Sequence, residues 1–163
     1  MSIRTVFILI NILSTLLASY AWFHAWRRHK NKSLAATFFI LCMAATTLYA
    51  FGYTMELASN TLSQILFWVK IEHLGIEFIS PTWLLFTLCL SGNEKKISPK
   101  KISLFFIIPL LMILLVITNH YHLNPRLTEN APFPTLTYTR GTVAWIGISY
   151  AAFCLVLSLF LFA

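Results

Sequence analysis

TLSQILFWVKIEHLGIEFISPTWLLFTLCLSG, residues 61–92, is one long helical stretch that decides the fold. Its second half is apolar enough to sit in a bilayer. Its first half carries Lys70, Glu72, His73 and Glu77 with no break in the helical pattern. At about 100° per residue, Lys70, His73, Glu77 and Pro81 share one face, while Glu72 points nearly the other way. Ionisable groups at membrane depth are costly. They face a partner helix or a wet cavity and mark a functional site by default.

The rest of the chain fits a wall around this helix. Of its 163 residues 58% are hydrophobic and 10% charged, with a mean hydropathy of +0.76. A soluble domain carries about 25% charged residues, so the apolar excess has to face lipid. The pattern is continuous apolar runs, not period-two alternation, which excludes a transmembrane barrel. The class is an all-α, polytopic transmembrane helix bundle. The net charge of +7 is clustered in two short loops and reads as a topology signal, not as a nucleic-acid surface. Cys42, Cys89 and Cys154 all fall in apolar runs, so no disulfide is expected.

Five helices are predicted, over residues 5–26, 34–57, 61–91, 102–118 and 141–163. The first could be a signal peptide. However, its basic residues follow the apolar run (Arg27, Arg28, Lys30, Lys32), and Trp22, Phe23 and Trp26 fit an interfacial belt. Ser33 is a plausible N-cap for the second helix, which is rich in small residues such as Ala45 and Gly52. Pro99 is expected to break any helix in the second basic loop, and Pro109 to kink the fourth. Residues 119–140 hold Pro125, Pro132 and Pro134 and are read as a loop, with Thr135–Thr139 as a strand or hairpin arm. Gly147 and Ala151 give the fifth helix a small-residue face. Eight basic residues (Arg27, Arg28, Lys30, Lys32, Lys95, Lys96, Lys100, Lys101) fall on one side and four (Arg4, Lys70, Arg126, Arg140) on the other. That bias puts the N-terminus outside and the C-terminus in the cytoplasm.

Depth counting brings Glu56, at the end of the second helix, level with Lys70, so an ion pair between them is reasonable; the alternative is that Lys70 only snorkels to the interface. His73 and Glu77 are at i, i+4 and can interact. Glu72 can pair with a basic residue of an outer loop. Glu77 is hardest to dismiss, because a buried carboxylate needs a partner, a proton or water. Together these groups describe an outward-facing polar pocket floored near Pro81. His120 and His122 are too few for a metal site, which needs three or four converging ligands. His24 and His73 lie at opposite boundaries and do not suit haem. No cofactor, metal or catalytic set is expected.

The chain resembles the N-terminal seven-transmembrane sensor region of bacterial histidine kinases and related signalling proteins. The resemblance rests on an ordered set: Glu56-Leu57; Lys70 through Gly75-Ile76; Pro81, Trp83, Leu84, Phe86 and Ser91-Gly92; Ile108-Pro109; Thr118-Asn119-His120; then Gly141, Trp145 and Tyr150. It implies a single transmembrane sensor domain over residues 1–163, the first five of seven helices, multi-pass in the bacterial inner membrane. The module would not itself be an enzyme. It would bind a small ligand or proton in the pocket of helices two, three and five, at Glu56, Lys70, Glu72, His73, Glu77, Trp145 and Tyr150. It would relay that event to a cytoplasmic kinase or cyclase output domain in cis or in trans, as part of a two-component system. The lipid bilayer and a homodimer mate are the other expected partners, with no nucleic acid. The rival reading is a fragment of a transporter or permease. A transport path should continue inward, but below Glu77 the helix offers only Ser80, Thr82 and Thr87.

Overall fold

The computed structural model describes residues 2–28, 33–118, 122–128 and 134–162. Five helices form in chain order: α1 (Ile3–Arg28), α2 (Leu34–Ala58), α3 (Leu62–Leu88), α4 (Pro99–Ile117) and α5 (Thr142–Phe162). Each contains a stretch long and apolar enough to cross a membrane. The protein is therefore a multi-pass membrane helix bundle.

Local chemistry sets the helix starts. The side chains of Ser33, Thr61 and Ser98 accept from the backbone N–H groups of Ala36, Gln64 and Lys101, capping α2, α3 and α4. The expectation for Pro99 needs correcting. It does not exclude helix; it occupies the first position of α4, where its missing N–H costs nothing. α4 therefore begins three residues earlier than Ile102. At the other end of the basic loop, α3 unwinds over Cys89–Asn93, where Gly92 takes φ 77°, and a short 3-10 turn follows at Glu94–Lys96. The Glu94 carboxylate accepts from the N–H of Leu34 at 3.4 Å, close to the positive end of the α2 dipole.

Between α4 and α5 the chain forms a two-stranded antiparallel hairpin, β1 (His122–Leu127) and β2 (Leu136–Arg140). The expected strand at Thr135–Thr139 is thus one arm of it. The register shifts between Leu123 and Arg126. Pro125 sits in that irregularity, where a residue without an N–H is tolerated.

Packing is graded along the chain. α1 lies against α2 and has no buried residue. Thr15 meets Thr54 of α2 through their hydroxyls at 3.4 Å, and Arg4 makes the larger polar anchor. The guanidinium donates to the carbonyls of Leu57 (2.7 Å) and Ser59 (2.8 Å) and to the Asn60 side chain (2.7 Å). Those are groups at the C-terminal end of α2, which lacks helical donors and carries partial negative charge. α3 is the central element and touches α2, α4 and α5. Phe38, Leu85 and Cys89 form one core cluster near the basic loop, while Met112, Val116 and Ala144 form another near the hairpin. Cys42, Cys89 and Cys154 are buried as free thiols.

Candidate functional site

Two glycines bring α2 and α3 into backbone contact. A Cβ on Gly75 would lie 2.5 Å from the Ala45 oxygen and the Tyr49 nitrogen. A Cβ on Gly52 would lie 2.8 Å from the nitrogen of Glu72. Small residues allow such approach in lipid, where van der Waals packing replaces the hydrophobic drive between helices.

That contact determines which acids meet. Glu56 follows Gly52 by one turn, so it extends from the same face of α2 toward the Glu72 region of α3. The carboxyls of Glu56 and Glu72 lie close enough to interact electrostatically. The Oε2 atom of Glu72 is buried and has no hydrogen-bond partner. Tyr49 and Tyr53, on the same face of α2, stack with centroids 6.2 Å apart and planes 7° from parallel. Both rings lie within electrostatic range of the two carboxyls. Two acids and two aromatic rings thus form a cluster between α2 and α3, toward the end of the bundle held by Arg4.

The remaining expected site residues lie elsewhere. The Glu56–Lys70 ion pair does not form. Lys70 is half-buried and lines a shallow cleft of α3 with Ser63, Leu66 and Phe67. It precedes Glu72 by two residues, a rotation of about 200°, so it looks away from α2 although its depth is right. His73 is buried, and its Nδ1 donates to the Val69 carbonyl at 2.8 Å. Glu77 is half-buried one turn deeper. Pro81 cannot supply the helical donor to its carbonyl. Trp145 is 56% exposed and, with Tyr150, lines a groove between α4 and α5 formed with Ile108 and Phe153. The Tyr150 hydroxyl donates to the Phe105 carbonyl at 2.6 Å.

Sequence reasoning missed Tyr49 and Tyr53. The signal was there: Tyr49, Tyr53 and Glu56 are at i, i+4 and i+7, one stripe of a helix. Among the described residues no group of three or more His, Cys, Asp or Glu converges to hold a metal ion. His120 lies outside the described residues, and His122 begins β1.

Residues 6–163 match the family model described as the N-terminal 7TM region of histidine kinase. No curated protein and no solved structure matches the chain.

Proposed function

The chain belongs to the family of N-terminal 7TM regions of histidine kinases, and from that premise we propose that it is a sensory input module whose stimulus, a proton or a small cation, enters at Glu56 and Glu72. The membership supports a membrane sensor region. The observation that carries the finer reading is the meeting of these two carboxyls, with one Glu72 oxygen buried and unpartnered. Such a pair resists holding two negative charges in a dry site. A proton shared between them, or a cation placed between them, stabilises the close α2–α3 packing. Its loss repels the carboxyls and favours a wider packing.

The relay is a population shift between two packings of α2 on α3, and the stimulus acts through its differential affinity for them. The signal passes through α3, which also touches α4 and α5. The receiving partner is a cytoplasmic output domain in cis or in trans. In this reading the chain performs no chemistry, and the membrane is the bacterial inner membrane.

Spin labels at Leu48 of α2 and Leu110 of α4, both exposed, report the position of α2 against the rest of the bundle. A pH step in reconstituted protein is expected to change the distance distribution. The double variant Glu56→Gln, Glu72→Gln is expected to hold one distribution throughout. A double variant that responds like the parent protein would remove the acid pair from the sensing role.

A further inference from the structure

The opposite end of the bundle, beside the basic loop, carries a second site. A cleft of about 350 Å3 opens between α3, α4 and α5. Leu85 and Leu88 of α3, Phe105 of α4, and Leu157 and Leu161 of α5 form its walls. Asn93 and Lys101 border it where the helices end. The turn at Gly92 folds the chain back after α3, and the Ser98 cap sets Lys101 in the first turn of α4. Asn93 and Lys101 therefore reach one cleft from two elements. Lys95 and Lys100 flank it and are exposed.

The two halves of this cleft call for different chemistry. Its walls are apolar side chains that match a hydrocarbon chain. Its rim carries a lysine ammonium and a side-chain amide, and a basic pocket between transmembrane helices beside a basic loop suits an anionic headgroup. A soluble anion would use Lys101 and leave the walls uncovered. A zwitterionic lipid would cover the walls but bring no net charge to the rim.

We propose that this cleft binds an anionic phospholipid. One acyl chain lies along Leu88, Phe105 and Leu157, and the phosphate sits at Lys101 beside Asn93. The bound lipid joins α3, α4 and α5 at one membrane boundary, and the site is independent of the acid pair.

Native mass spectrometry of the full chain, titrated separately with phosphatidylglycerol and phosphatidylcholine, tests this. The first phosphatidylglycerol is expected to bind about fivefold more tightly than phosphatidylcholine, the worth of roughly one lysine at an anionic surface. Lys101→Gln should remove that preference, while Lys100→Gln should change it by less than about twofold. Leu157→Trp, which fills the cleft, should abolish the tight adduct while circular dichroism stays that of the parent protein. Equal binding of the two lipids would overturn the proposal. So would equal losses in Lys100→Gln and Lys101→Gln, which would mean diffuse attraction to the loop. Displacement of phosphatidylglycerol by millimolar inorganic phosphate would mean an anion site without a lipid. If Leu157→Trp does not fold, the two lysine variants at exposed positions decide the matter.

Discussion

Tyr150 fills the hydrogen bond that Pro109 vacates. Pro109 has no N–H, so the carbonyl four residues before it, that of Phe105, loses its helical donor. The Tyr150 hydroxyl of α5 supplies a replacement at 2.6 Å. Proline inside a transmembrane helix is tolerated when a neighbouring helix satisfies the freed carbonyl in this way.

Tyr150→Phe should therefore destabilise the α4–α5 contact. Interhelical hydrogen bonds in membranes average about 0.6 kcal/mol, but a carbonyl left unpaired costs about 1–3 kcal/mol. The second figure governs here, because Pro109 removes the fallback donor. Thermal unfolding in detergent should show a lower midpoint for Tyr150→Phe. Pro109→Ala in the same chain should recover much of the loss by restoring the helical donor. Additive effects of the two substitutions would mean that the Phe105 carbonyl does not link them.

Gly75 and Gly147 should respond very differently to alanine. At Gly75 the new Cβ meets backbone atoms of α2 at 2.5 Å, so the helices must part. At Gly147 it meets the Met112 sulfur at 3.3 Å, the flexible part of a long side chain. Overpacking typically costs about 1–3 kcal/mol, and Gly75→Ala is expected at or above the upper end. Gly147→Ala should stay within about 0.5 kcal/mol of the parent protein. Unfolding measurements on the two variants side by side would check the contrast, and equal losses would contradict the close α2–α3 approach.

Arg4 should not be replaceable by lysine. Three donors on one planar fork reach three separate acceptors around the end of α2. A lysine ammonium is a point charge and cannot reproduce that geometry. Arg4→Ala is expected to cost about 1.5–3 kcal/mol, the worth of hydrogen bonds from a charged group. Arg4→Lys should recover less than half of it. Full recovery by lysine would reduce Arg4 to a helix-dipole charge.

Topology is expected to place the hairpin outside and the basic loops in the cytoplasm. The buried native thiols leave a quiet background for single-cysteine labelling. Arg126→Cys, at an exposed position, should react with an impermeant maleimide on intact cells, and Lys100→Cys only after permeabilisation. The reverse pattern would invert the assignment.

The helices and the Ser33 cap were legible because they rest on local signals, apolar run length and a serine before a run, whereas the Thr61 and Ser98 caps and the helix-starting role of Pro99 were not. The strand at Leu136–Arg140 was legible for the same reason. The acid site was half legible. The 100° rule correctly turned Glu72 away from Lys70, yet depth counting still paired Glu56 with Lys70. Depth is a one-dimensional quantity, and the choice of partner depended on rotation about the helix axis, which the backbone contacts at Gly52 and Gly75 set. Arg4 with Leu57 and Tyr150 with Phe105 were not legible. Those pairs are 53 and 45 residues apart, and no local pattern announces them.

The Arg4 clamp also has a consequence for synthesis. Its acceptors lie beyond the second helix, at Leu57, Ser59 and Asn60, so it cannot close when α1 first leaves the ribosome. At about 5–20 residues per second, the intervening chain takes roughly 3–11 s to make. During that interval α1 lacks the tie that fixes its register against α2. The first helix is therefore a tenant of the lipid, or of the insertion machinery, before it is a part of the protein. Its final depth is decided only when α2 and the turn at Ser59 and Asn60 are complete.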